Sequence, residues 1–471
     1  MRSLISFALL SGAQAHTLFT TLLINDVSQG DGTCVRQSAD ISHSVSPVID
    51  YRSSDIVCGV GGTKAVAYTC PAPAGAKLTF EYRMSPNTPG SGFIDSSHKG
   101  PCAVYAKQLS ADTDSGEGDG WFKIWSEGYD QDEDLWCTEK LIKDDGFFSI
   151  DIPSALPAGN YLFRPEVVAM HNVTPEVEPQ FYVGCAQVFV ESDITGTLEV
   201  ADEYRVSIPG YIQPGDGGVT YNIYNDDEYA NPKLPYPELG PKAWVPEVST
   251  LTTLSVSSSN EVTTQSEGSV PATCLLKNAN WCGVEVAAYT DQEGCWNAVT
   301  DCWAQNEVCW NEAPPSGGSN CEVWETKCQD LDDQCSAGNF QGPPKFTLVS
   351  ADAKAPAVVA AAMNAAHGEA PAATTGEASA AVTSYVADKP ETTSSTAAVT
   401  TSQAAKSEPT TINAGPSTTF VTVYASSAST PSHSANAGES SSSAKPVPTG
   451  ERGGRRHGKH RYQCGSSAAK K

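Results

Sequence analysis

The sequence predicts an all-β protein, an immunoglobulin-like antiparallel β-sandwich, followed by a small disulfide-stapled helical hairpin and a disordered Ser/Thr/Ala/Pro-rich stalk. Three observations lead there. Up to residue 246, short segments rich in aromatic and β-branched residues recur between Gly, Pro, Asn and Asp, with no long amphipathic helix among them. The 15 cysteines fall into a group of six, a group of eight and a lone Cys464. Beyond residue 339 the composition narrows to Ala, Ser, Thr and Pro, with too little apolar surface to offset chain entropy.

Charge excludes several partners. Lys+Arg 29 against Asp+Glu 55 gives a net charge of −26. Nucleic acid and anionic membranes are themselves negative, so neither is an expected partner. No apolar stretch is long enough to span a bilayer.

The blocks follow in chain order. Met1–Ala15 reads as a secretory signal peptide: Arg2 is the positive end, Leu4–Leu10 the apolar run, and Ala13-Gln14-Ala15 the cleavage pattern. Cleavage leaves His16 as the first residue of a secreted, extracellular protein. Residues 16–246 form the sandwich. Its strand candidates are Lys77–Met84, Cys102–Leu109, Phe147–Pro153, Tyr161–Met170 and Gln180–Glu191. A linker covers 247–272, a cysteine module 273–338, the stalk 339–450 and a basic tail 451–471.

The cysteines obey these blocks. Cys34, Cys58, Cys70, Cys102, Cys137 and Cys185 lie in the sandwich, and eight lie in the module. Even counts in each, without close Cys-x-x-Cys pairs, predict disulfides rather than zinc. In the module, Cys295, Cys302 and Cys309 are seven apart, as are Cys321, Cys328 and Cys335. Heptad spacing keeps side chains on one helix face, and Pro314-Pro315-Ser316-Gly317-Gly318 is a turn. Two antiparallel helices, Gly294–Trp310 and Asn320–Cys335, then pair Cys295 with Cys335, Cys302 with Cys328 and Cys309 with Cys321. Cys274 and Cys282 are left to pair locally. Trp296, Trp303 and Trp310 share the heptad period. They form either a row that stacks on sugar rings or a small core around the disulfides.

Chemistry-bearing residues gather in the sandwich. His16 would present an α-amine beside its ring nitrogens. Ser97-His98-Lys99-Gly100-Pro101 sets a histidine on a turn before a strand. His171 ends a strand segment, and Gln180-Phe181-Tyr182 leads into Cys185-Ala186-Gln187. No pair of carboxylates stands out as glycosidase chemistry would require.

In this order and spacing the residues resemble the fungal lytic polysaccharide monooxygenases of auxiliary activity family 9, over residues 16–246. The resemblance implies one copper ion, held by the amine and a ring nitrogen of His16 and by a ring nitrogen of His98, with Tyr182 axial. Imidazole and amine donors suit copper. It implies catalytic roles for His171, Gln180 and Tyr182, which would orient and stabilise charge developing during oxygen chemistry. It implies a Cys58–Cys185 disulfide. The other four sandwich cysteines allow three connectivities, of which Cys34–Cys70 with Cys102–Cys137 is favoured. It also implies Tyr211 as a substrate-stacking residue, and a monomer oxidising C1 or C4 of cellulose or a related β-1,4-glucan with an external electron donor and O2 or H2O2. A non-catalytic copper-binding or cell-wall protein on the same sandwich is the alternative, but such a protein has no use for His171, Gln180 and Tyr182. Asn172-Val173-Thr174 is a glycosylation sequon, which makes Asn172 an acceptor directly after His171.

Overall fold

The computed structural model describes residues 16–38, 40–86, 92–224, 235–247, 255–256 and 263–346. The signal peptide, the basic tail with Cys464 and the stalk beyond residue 346 lie outside these.

Two sheets make the sandwich. The smaller runs Phe147–Asp151, Lys77–Arg83, Leu18–Ile24, Val27–Ser28. The larger runs Arg205–Ile208, Gly118–Glu127, Cys102–Gln108, Gly159–Ala169, Cys185–Glu191, Val35–Arg36, with Gln180–Val183 also paired to Gly159–Ala169. Cys70–Pro73 joins Cys185–Glu191 in parallel, while the remaining described pairings in the two sheets are antiparallel. Phe19, Phe80, Tyr82, Phe122, Phe148 and Phe163 come from both sheets and fill one core. A second apolar cluster, with Tyr51, Val57, Trp121, Trp136 and Phe181, brings loop residues together with the larger sheet. A sheet covered on both faces loses the in/out alternation of a half-solvated one.

The five expected strands form, each within a residue or two of its expected start. Gln180–Glu191 breaks at Gly184, yet Val183 opposite Glu166 and Ala186 opposite Phe163 keep one register. A Cβ on Gly184 would sit 3.1 Å from the Phe19 ring, so the break marks a close approach between the sheets. Strands Leu18–Ile24, Gly118–Glu127 and Arg205–Ile208 and the short helix Cys137–Lys143 went unread in the sequence. The first merges with the apolar leader, and the second opens on Gly-Asp-Gly, which reads as a turn. The other two are only a few residues long.

The sandwich holds disulfides Cys34–Cys70, Cys58–Cys185 and Cys102–Cys137. In the module, a hairpin of Cys274–Asn278 and Trp281–Val284 precedes helices Gln292–Glu312 and Ser319–Ser336. Asp291 caps the first helix, its carboxylate accepting from the Gly294 N–H at 2.8 Å. Cys295–Cys335, Cys302–Cys328 and Cys309–Cys321 join the helices, and Cys274–Cys282 closes the hairpin. Trp324, fully buried, is the central aromatic, and its indole N–H donates to the Cys302 carbonyl at 3.2 Å.

The module is seated on the sandwich. Asp31, buried, accepts from the Ser319 N–H at 3.0 Å and from Arg83 at 3.0 Å, while its backbone carbonyl accepts from the Ala279 N–H. A Cβ on Gly32 would lie 2.1 Å from the Ser316 hydroxyl, and one on Gly30 would lie 2.5 Å from the Lys277 carbonyl. The two surfaces therefore meet at backbone distance. Further along, residues of the 247–272 segment are tied to the sandwich: Ser255–Val256 pairs with Ile194–Thr195, and the Thr263 N–H bonds the Ser192 carbonyl at 2.9 Å.

Candidate metal centre

His16 stands two residues before the Leu18–Ile24 strand, whose Leu18 pairs with Arg83. That pairing anchors His16 at one end of the smaller sheet. His98 comes from the other side. Its turn is shaped by Asp95, whose backbone carbonyl accepts from the His98 N–H at 2.9 Å and whose carboxylate accepts from the Ser97 N–H at 2.9 Å and hydroxyl at 2.7 Å. Gly100 then passes so near the Gly159–Ala169 strand that a Cβ would fall 2.1 Å from the Val168 carbonyl. Only glycine allows that approach. The Lys99 and Pro101 carbonyls accept from the Met170 and Val168 N–H groups at 2.8 and 3.0 Å. The His-x-Gly-Pro sequence is thus a clamp that lays His98 against His171, their ring centroids 4.0 Å apart.

Tyr182 closes the cluster. Gln180 and Tyr182 share one face of their strand, because side chains alternate, while Phe181 points the other way onto Tyr51. The Tyr182 ring lies 6.0 Å from His16 and 6.2 Å from His98, and the two imidazoles are 5.8 Å apart, centroid to centroid. The Tyr182 hydroxyl donates to the Gln180 side-chain Oε1 at 2.8 Å. Gln180 therefore keeps its amide N–H groups for another partner.

Burial sets the protonation states. It lowers the His98 pKa to about 4, helped by His171 and His16. It also lowers His16 and His171, and raises the Tyr182 phenol. At neutral pH the site holds neutral imidazoles and a protonated phenol. The Ser97 hydroxyl gives its hydrogen to Asp95 and lies 3.2 Å from His98 Nδ1. His98 therefore donates from Nδ1 and keeps a lone pair on Nε2. That Nε2 is buried and has no hydrogen-bond partner, a costly state unless a ligand completes it. An imidazole oriented by its other N–H and left with an open nitrogen is the usual condition of a metal ligand.

Among the described residues no group of three or more His, Cys, Asp or Glu side chains is placed to hold a metal ion. His16 and His98 alone are an incomplete set. Cleavage before His16 would supply the missing nitrogen, its own α-amine, without a further side chain. Two imidazoles and an amine beside a phenol fit copper.

Asp95 and Ser97 were not singled out by the sequence reading, although an Asp two residues before a Ser is a turn signal. Asn172 has a second role that was also unread: its side-chain Nδ2 lies 2.8 Å from His171 Nε2. His171 then carries its proton on Nδ1, which is buried without a partner. Asn172 is exposed, as its sequon requires. The expectation for Tyr211 is corrected. Tyr211 is 7% exposed; its hydroxyl bonds the Glu166 carboxylate and lies 3.3 Å from Arg164, and its ring is edge-on to Tyr105. Both Arg164 and Glu166 are buried and paired at 2.8 Å, so Tyr211 serves a buried ion pair and cannot lie flat on a sugar.

The model of Auxiliary Activity family 9 (formerly GH61) matches residues 16–232. The chain is 43% identical over 347 residues to an AA9 family lytic polysaccharide monooxygenase C of Aspergillus tamarii, covering 73% of this chain and 91% of that one. It is 44% identical over 338 residues to an AA9 family lytic polysaccharide monooxygenase H of Botryotinia fuckeliana, covering 70% and 75%. Alignments of that length necessarily run through the cysteine module. A solved structure named CvAA9A is 33% identical, with a TM-score of 0.41, over 49% of this chain and 98% of that one.

Proposed function

The chain belongs to Auxiliary Activity family 9 and is a lytic polysaccharide monooxygenase, and from that premise we propose that it is a secreted, monomeric, copper-dependent enzyme that oxidises C1 or C4 of the linkages in cellulose or a related β-1,4-glucan. No helix among the described residues is long and apolar enough to cross a membrane. The observation that carries the copper assignment is the buried, unpartnered Nε2 of His98 beside His16 and Tyr182.

In this reading the His16 amine and ring and His98 Nε2 would hold the metal, with the Tyr182 phenol beside them. Copper, when bound, would supply one-electron redox chemistry, for which the enzyme would need an external electron donor and O2 or H2O2. The residues around it prepare the space. Tyr182 is 3% exposed and closes the inner side against water. The Asp95–Ser97 pair holds His98 in one tautomer. His171 offers Nδ1–H, and Gln180 its amide N–H, because Asn172 and Tyr182 already use their other polar atoms. Fixed donors of this kind stabilise negative charge as it develops, with no reorganisation at the moment of reaction.

The test is product analysis. Mature protein beginning at His16, given copper and a reductant on cellulose, should release sugars with an oxidised end, aldonic acids for C1 or 4-keto sugars for C4. Unoxidised products alone, or no products, would overturn the proposal and leave a copper binder.

A further inference from the structure

The Gln292–Glu312 helix presents an aromatic stripe whose two outer indoles its own module leaves partly exposed. The module core is filled by Trp281, Trp324, Leu331 and the disulfides. Trp296 and Trp310 are each 38% exposed, and Trp303 between them is half-buried against that core. Thr300 and Glu307, both exposed, fall between successive indoles. The positions 296, 300, 303, 307 and 310 alternate four and three apart, which keeps them on one side of the helix. Successive indoles are about 10.5 Å apart along the axis, close to the length of one disaccharide in an extended β-1,4-linked chain.

The platform is held in place. A Cβ on Gly318 would meet the Trp310 ring at 2.5 Å, so that indole lies across the bare backbone of the interhelical turn. Trp303 is fixed by the core and the helix by three disulfides. Rigid aromatics lose little entropy on binding. Charge narrows the partner. From Cys274 to Pro343 there are eleven acidic residues against two lysines. Of those lysines, Lys277 bonds Gln29 at 2.6 Å, and Lys327 pairs with Glu285. A polyanion would be repelled. A neutral polymer with apolar ring faces and hydroxyls at its edges fits alternating indoles and polar side chains.

We propose that Trp296, Thr300, Trp303, Glu307 and Trp310 form a binding platform for a single extended β-1,4-glucan chain, separate from the metal centre. The choice of glucan rests on the substrate class proposed above; the platform itself rests on the helix. The test is adsorption of the full mature chain to cellulose without added reductant, so that binding is read without turnover. Trp296→Ala/Trp310→Ala should lower the partition coefficient roughly ten-fold through loss of two aromatic contacts, while Trp296→Tyr/Trp310→Tyr should retain most of it. Thr300→Arg, a surface change that lays a long side chain across the stripe, should weaken adsorption even if the alanine pair fails to fold. Equal adsorption by wild type and the folded variants would overturn the platform. Tryptophan-dependent retention on chitin with none on cellulose would overturn the glucan. Either result leaves the product assay on the sandwich to be judged separately.

Discussion

His98 divides the residues of the site by what each one touches. It has one ring nitrogen turned to Ser97 and the other buried and open. His98→Ala should therefore abolish tight copper binding. His171→Ala and Gln180→Glu should leave copper affinity within a few-fold and lower the rate of oxidised-sugar release, since their polar atoms meet Asn172 and Tyr182 rather than the open His98 nitrogen. Copper titration and product assays on the same preparations separate the two effects. Equal loss of copper by all three would contradict these roles. Tyr211→Phe strips a hydroxyl from the buried Arg164–Glu166 pair. It should lower stability by about 1–3 kcal/mol, seen as a reduced melting temperature; an unchanged melting temperature would mean the hydroxyl does not serve the ion pair. The family resemblance brought His16, His98, His171, Gln180 and Tyr182 together as a set. It did not give the burial of Tyr211, because the Gly/Pro turn around it says nothing about which residues cover it. Nor did it give the hydrogen bonds of Asp95, Ser97 and Asn172, which depend on the closed shape of the turn.

At the scale of elements, local signals sufficed where a period repeats. The heptads of cysteine fixed the hairpin register in which the structure joins Cys302 to Cys328, and a non-reducing peptide map should recover that pair. Joining Cys302 to Cys295 or Cys309 instead would break the register. The seat of the module was not legible. It depends on Asp31, whose partners Arg83 and Ser319 are distant in sequence, and on bare backbone at Gly30 and Gly32. Asp31→Ala would leave Arg83 with only Glu81 to balance it in a buried place. Glu81 still balances the Arg83 charge, so the cost is that of the lost charge-assisted hydrogen bonds, about 1.5–3 kcal/mol. Amide exchange around 279 and 316–320 should quicken in that variant while the disulfides remain intact. Exchange unchanged there would mean the seat does not depend on this ion pair.

For the whole molecule, the sandwich and the seated module form one body that presents two aromatic features of different kinds. The candidate metal centre lies around His16, at the end of the smaller sheet. The indole stripe lies on a helix that the disulfides hold rigid. The division into an enzyme body and a second sugar-facing surface requires the first of these to work through the chain terminus itself. In the proposed enzyme, removing the leader before His16 would be a chemical step of assembly, because it would turn a backbone amide into a donor amine. Copper titration of two otherwise identical proteins tests this most directly, one beginning at His16 and one with a single extra residue in front, each followed by product analysis on cellulose. Tight copper binding and oxidised sugars should come only from the protein that begins at His16. Equal copper affinity and equal oxidised product from the extended protein would contradict a metal centre built on the His16 amine.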